Sequence, residues 1–224
     1  MQILTDFSGV LAGGLTGFFR MMSQELDIPV ALLEAHLGEN APWIRQLNRG
    51  RVTEDEFWDA IVEDFAKKMN GKLLDAEKLK AIFHENMRRQ VPGTLDVYSR
   101  IAYYPIRVGQ GGRVGKGVPS IGIVADCTTE LVPLLHEWHP DIFDLIKKEF
   151  WSCQHEIVKE DPDFFRLLPK RVRSEDPAEL LLVDSRQRNV NRARLAGIPA
   201  IQFINAEQLE ADMERLGFAF NPKA

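Results

Sequence analysis

The chain has 224 residues, 45% hydrophobic and 27% charged, the balance of an ordinary globular protein with room for one domain, or for a core with a smaller insertion. Its net charge of −5 excludes general nucleic-acid affinity, which needs a basic surface. No apolar run reaches the roughly 18 residues that cross a bilayer, no signal-type N-terminus is evident, and Cys127 and Cys153 make no disulfide framework. A cytoplasmic protein without nucleic-acid or membrane partners is predicted.

The first strand signal, Ile3 to Asp6, ends in an aspartate and runs at once into a turn, Phe7-Ser8-Gly9. That puts one carboxylate at the carboxyl end of a buried strand, where open α/β sheets place their chemistry. From about 14 to 89 there is only helical periodicity. Thr53 and Glu56 form a capping box ahead of Phe57, Ile61, Phe65 and Met69, and Asp75 opens a helix with Leu79, Ile82 and Phe83 facing inward. A helical block at this point of the chain predicts a lid above Asp6. Trp43, Phe57 and Trp58 are expected to pack that lid, unless one of them faces a substrate.

Residues 103–119 are rich in glycine and basic side chains. They lack the glycine (Gln110) and the Ser or Thr (Gly117) of a phosphate loop. An exposed hairpin is expected, or a loop that docks a protein partner. Further strands are predicted at Ser120–Asp126, Phe150–Ser152, Leu180–Asp184 and Ala200–Phe203. Asp161 and Pro162 read as an N-cap and first helical residue. Gly197 closes a helix after Asp184, and Asn205 opens the last one, with Leu209, Met213 and Leu216 on one face. Continuous apolar runs alternating with helices predict a doubly wound, Rossmann-like α/β fold with a parallel sheet. The expected organisation is a core of 1–13 and 90–224, a helical cap of 14–89, and the 103–119 insertion. His136 and His139 do not form a metal-ligand pair, since Pro140 follows directly, and the two cysteines read as small buried hydrophobes.

Four segments in order resemble the haloacid dehalogenase-like (HAD) hydrolase superfamily. Asp6-Phe7-Ser8-Gly9-Val10-Leu11 is similar to the family's DxDG(T/V)L, and Ile123-Val124-Ala125-Asp126 to its strand ending in Ser or Thr. Val158-Lys159-Glu160-Asp161-Pro162-Asp163-Phe164-Phe165 is similar to KPDPxxF, and Val183-Asp184-Ser185-Arg186-Gln187-Arg188-Asn189-Val190 to VDDSxxNV. The stretch from Asn48 to Trp58 resembles the small helical cap of one subgroup, inserted after the first strand.

The resemblance implies that Asp6 is a nucleophile and Lys159 its charge neutraliser. It also implies that Ser8, Ala125, Asp126 and Arg45 border the substrate, and that Asp6, the Ser8 carbonyl and Asp184 are the ligands left for magnesium. Three expected groups are replaced. Ser8 stands for the general acid, Ala125 for the phosphate-binding hydroxyl, and Ser185 for a metal acid, so magnesium would be weakly held and no other cofactor is implied. Three readings follow. The chain is a non-catalytic or attenuated module of hydrolase fold; or a magnesium-dependent phosphatase of a small metabolite; or a metal-free hydrolase of the dehalogenase type. The last would use Arg20, Arg45, Arg49 or Arg51 to cradle its substrate, if these are not merely solvated charges. The sequence does not indicate oligomeric state.

Overall fold

The computed structural model describes residues 1–37, 42–68, 74–103 and 119–218; all but the two end residues of the predicted 103–119 glycine-rich insertion, and Met69, lie outside them. Five parallel strands form one sheet: β1 (Gln2–Thr5), β2 (Ser120–Ala125), β3 (Ile146–Trp151), β4 (Leu180–Asp184) and β5 (Ala200–Gln202), in the order β3-β2-β1-β4-β5. This is the predicted doubly wound α/β fold. Every residue of β4 is buried, and Ile3 and Leu4 of β1 are fully enclosed, as an apolar run covered on both faces must be.

Helices cover both faces after β2: α7 (Leu131–Trp138), α8 (Pro140–Leu145), α9 (Ser152–His155), α10 (Phe164–Arg171), α11 (Gln187–Leu195) and α12 (Ala206–Arg215), numbered after α1–α6 below. Ile3, Ile121, Ile123, Ala125, Leu181 and Val183 point to one packed layer, and Leu4, Val124, Leu180 and Leu182 to the other. The period of two along each strand therefore divides the core cleanly.

Two predicted boundaries are corrected. The third strand starts at Ile146, not Phe150, because Lys147, Lys148 and Glu149 break the apolar pattern while lying exposed on the edge strand, where charge protects an open edge. Asp161 is not a helix cap. Its side chain turns back to accept from the Val158 amide at 3.0 Å, and α10 begins only at Phe164. Asp161 instead pins the loop that presents Lys159.

Between β1 and β2 lie α1 (Leu15–Leu26), α2 (Val30–Leu37), α3 (Pro42–Asn48), α4 (Glu54–Lys68), α5 (Ala76–Arg88) and α6 (Thr94–Tyr103). The first five share a separate apolar cluster built on Phe18, Phe19, Met22, Phe57, Trp58, Ile61, Phe65 and Leu79. Thr53 and Glu56 cap α4 reciprocally, and the Asp75 carboxylate caps α5. Phe57 and Trp58 are buried, their ring centroids 4.8 Å apart. Trp43 does not join them. It is 45% exposed, since α3 turns its Leu47 inward instead.

The chain leaves and re-enters the sheet region through two paired linkers. The Gly13 amide donates to the Arg89 carbonyl and the Val91 amide to the Leu11 carbonyl, each at 2.9 Å. A Cβ on Gly13 would lie 2.2 Å from the Asn86 carbonyl oxygen, so only glycine permits this approach. The helical block is also latched to the sheet side. The Thr128 hydroxyl donates to buried Glu54 at 2.5 Å, Glu54 meets His84 Nε2 at 2.7 Å, and Ser152 Oγ donates to the Asn48 carbonyl at 2.5 Å. Arg49 pairs with Asp161 across the same boundary.

Candidate active site

The site is built by sheet register. Thr5 of β1 pairs with Val183 of β4, so the next residues, Asp6 and Asp184, leave the two strands side by side. The Asp6 amide donates to the Val183 carbonyl at 2.8 Å, and the Asp6 carboxylate accepts from the Phe7 amide at 2.9 Å. Behind it, buried Tyr98 donates to the Thr5 hydroxyl, which donates to the Asp6 carbonyl, each at 2.9 Å. Gly9, at φ +82°, makes the turn that carries Ser8.

Lys159 reaches in from the loop after β3. Its Nζ lies 2.7 Å from Asp6 Oδ1 and 2.7 Å from Asp184 Oδ2. The three side chains are at most 6% exposed. Asp184 is held further by the Arg186 amide at 2.9 Å and by Asn189 Nδ2 at 3.0 and 3.2 Å. Asp126 accepts from the Lys159 amide at 3.0 Å and so fixes the lysine loop from the backbone side.

The charges do not balance within this group. Three carboxylates face one ammonium, with Arg186 adding a second positive charge nearby. Burial pushes Asp6 up to about 7; Lys159 draws it down and the Asp184 charge pushes it further up. Burial also raises Asp126 above the usual carboxylate range. For Lys159 burial acts downward, but Asp184, Asp6 and Asp126 outweigh it, and the lysine stays protonated above its ordinary value.

The predicted residues divide into those brought together and those that are not. Asp6, Lys159 and Asp184 are in direct contact, and Asp126 joins through the backbone. Ser8 is half-buried and its hydroxyl donates to the Gly13 carbonyl at 3.3 Å, away from proton chemistry at Asp6. The Ala125 methyl is buried in the sheet core and offers no hydroxyl. Arg45 sits across from the site with Glu160 at 3.9 Å, Arg49 pairs with Asp161 and Arg51 with Glu156 at 3.4 Å, while Arg20 is exposed. Cys127 and Cys153 are free and buried, and burial pushes both thiols up, so neither is an activated nucleophile. His139 is buried against the Met87 carbonyl and His136 pairs with Glu149, so the two do not converge. Asn189 and Arg186 were missed as site residues, although both stand inside the fourth motif. Glu54 and Thr128 carried no sequence signal beyond a helix start.

Magnesium asks for hard oxygens in near-octahedral array. Asp6 and Asp184 each give an oxygen to the Lys159 ammonium, Asp184 spends the rest of its acceptor capacity on Arg186 and Asn189, and Ser185 supplies no carboxylate. Among the described residues no group of three or more His, Cys, Asp or Glu is arranged to hold a metal. The donor set fits magnesium poorly.

Above the site, between the helical block and the sheet, lies a chamber of about 100 Å³. Ser8, Asp126, Glu160 and Arg186 border it on the Asp6 side, and Phe18, Phe57, Trp58, Phe83 and Met87 supply apolar walls from α1, α4 and α5. No helix among the described residues is long and apolar enough to cross a membrane.

No protein-family model and no curated protein matches the chain. Solved structures do. A predicted HAD-like family hydrolase from Porphyromonas gingivalis superposes with a TM-score of 0.67 at 18% identity, covering 96% of each chain. A HAD family enzyme from Bacteroides thetaiotaomicron, crystallised with magnesium and inorganic phosphate, gives 0.61 at 16% identity over 91% of this chain and 94% of its own. The L-2-haloacid dehalogenase from Xanthobacter autotrophicus, with chloropropionic acid covalently bound, gives 0.60 at 15% identity over 99% and 84%. With the strand order, the aspartate at the end of β1 and the lysine loop after β3, these likenesses establish that the chain has the fold of the haloacid dehalogenase-like hydrolases.

Proposed function

We propose that this chain is a hydrolase-fold protein whose aspartate site has left metal-dependent phosphoryl transfer, and that it serves as a binding module with catalysis attenuated or lost. The observation that carries the reading is the Lys159 ammonium bridging Asp6 and Asp184 at 2.7 Å each. The two acids most suited to a metal and a nucleophile neutralise an internal cation instead. Ser8, at the general-acid position, carries a hydroxyl that does not titrate near neutrality and so cannot protonate a leaving alcohol. A phosphoryl group would meet Asp126 in place of a hydroxyl, and like charges repel.

The apolar chamber favours one second reading, metal-free substitution at carbon. There the Asp6 carboxylate would displace a halide from an apolar substrate, leaving a carboxylate ester, and water would then hydrolyse that ester to alcohol and free Asp6. A halide needs no proton, and Lys159 would offset charge without a metal. What supports it is local geometry alone.

The test is turnover of a generic aryl phosphate with and without magnesium, on the wild type and Asp6→Asn. No turnover above the mutant is expected. Magnesium-dependent turnover that vanishes in Asp6→Asn would overturn the reading, and halide release from a small haloacid in the presence of a chelator would shift it to the second.

A further inference from the structure

The chamber carries opposite charges on its two sides. Asp126 borders it from the loop after β2, and Arg45 and Asn48 border it from α3. Asp126 has acceptor capacity to spare: one oxygen accepts from the Lys159 amide, and the other has no partner among the described residues. Around it, Asp6, Asp126 and Asp184 face Lys159 and Arg186, which leaves the group one positive charge short. Lys159 is spent on Asp6 and Asp184, at 2.7 Å each. On α3 the imbalance is reversed. Glu160 is already paired with Arg188 at 2.5 Å, and Arg45 stands 3.9 Å from the same carboxylate, beyond hydrogen-bond reach. Asn48 follows Arg45 by three residues, on the same face of the helix, and its side-chain amide makes no hydrogen bond among the described residues. The two ends lie close together. Asp126 holds the Lys159 amide and Arg45 meets the Glu160 side chain, so both flank adjacent residues of one loop. Beside them Phe18, Phe57, Trp58 and Phe83 wall an apolar space. The volume, about 100 Å³, is about two thirds of the ~150 Å³ that accepts the six carbons of benzene, which leaves room for about four. The Arg45 side chain is 43% exposed, so the chamber opens on that side and a polar head need not be enclosed.

We infer that the chamber binds a free α-amino acid with a branched aliphatic side chain of about three or four carbons, its ammonium on Asp126 and its carboxylate on Arg45 and Asn48. The ammonium supplies the missing positive charge, and the carboxylate takes the Arg45 donors that Glu160 leaves open. An α-amino acid carries both charges on one carbon, as an acid and an arginine flanking one loop require. The inference rests on the reading of the Asp6 site as one that has left phosphoryl transfer, and adds the class of molecule bound.

The experiment is calorimetry on the full chain with L-leucine as the probe, beside isopentylamine, which lacks its carboxylate, and isocaproate, which lacks its amine. Leucine should bind saturably, and each analogue about tenfold more weakly, since each gives up a charge-assisted contact. Asp126→Asn, which keeps an oxygen for the Lys159 amide, should weaken leucine and the amine about tenfold and leave the acid unchanged. Arg45→Gln should weaken leucine and the acid and leave the amine unchanged, with Asn48→Ala giving the same pattern at smaller size if the first variant loses its fold. Absence of leucine binding to the wild type overturns the inference. So does either analogue binding as tightly as leucine, a folded variant that weakens both analogues alike, or leucine affinity unchanged in the folded variants. These outcomes are separate from the functional reading, which fails only on magnesium-dependent phosphatase turnover or chelator-resistant halide release.

Discussion

Removing the ammonium from the Asp6–Lys159–Asp184 group is the sharpest perturbation of this fold. In Lys159→Met a side chain of similar reach replaces the amine, so packing is largely kept and the charge is lost. Lys159 is 1% exposed and its partners 6% and 0%, so two carboxylates would be left facing each other out of water. Breaking a buried ion pair in this way costs about 3–5 kcal/mol. For a chain of this size that is roughly 6–20 °C of melting temperature, at about 2–4 °C per kcal/mol. Urea unfolding at pH 7.5 measures it directly. Part of the loss should return as pH falls toward 5, where Asp6, pushed up by burial and no longer drawn down by the lysine, takes up a proton. Lys159→Arg should rescue little, since the wider planar guanidinium cannot take the place of a compact amine between two fixed oxygens. A loss under about 1 kcal/mol, or one unchanged by pH, would refute the view of Lys159 as an internal counter-ion.

Asp6 itself should leave a pH signature of the opposite sign to a normal salt bridge. Its folded pKa, about 7, lies above the ordinary 3.8, so the native state holds more protons between those values and stability falls as pH rises through that window. Asp6→Asn should flatten that slope in melting curves from pH 4 to 8. Glu54→Ala strips Thr128 and His84 of their shared acceptor, and should cost about 1–3 kcal/mol, with faster amide exchange in α4 and α5 than in the sheet. Gly13→Ala drives a methyl to within 2.2 Å of the Asn86 oxygen, and should cost about 1–3 kcal/mol by calorimetry.

Strands β1, β2 and β4 were legible because each is a short apolar run covered on both faces, and the caps of α4, α5 and α12 because Thr53, Asp75 and Asn205 act within three residues. The edge strand was cut short in the sequence reading, since its charges face solvent and only the ladder to β2 reveals it. Asp161 looked like a helix cap because a capping aspartate and an aspartate closing a loop have the same local sequence. In the site, the acids and lysine could be found from motifs that resemble a family. The metal misfit was half visible, in Ser185, while the bridging ammonium needed three dimensions. Arg186 was passed over because it stands where the motif leaves its residue type free. The latch of the helical block through Glu54, Thr128 and Ser152 joins residues 74 and 104 positions from their partners, and no local pattern encodes such a separation.

The paired linkers tie the helical block to the nucleophile loop mechanically. The Phe7 carbonyl accepts from both the Leu11 and Ala12 amides, and the Gly9 amide returns a bond to the Ala12 carbonyl. Leu11 and Gly13 are the same residues that bond across to Val91 and Arg89. A swing of the helices therefore bends one short ribbon whose other end is the turn holding Ser8. Opening the chamber would thus also strain the backbone next to Asp6.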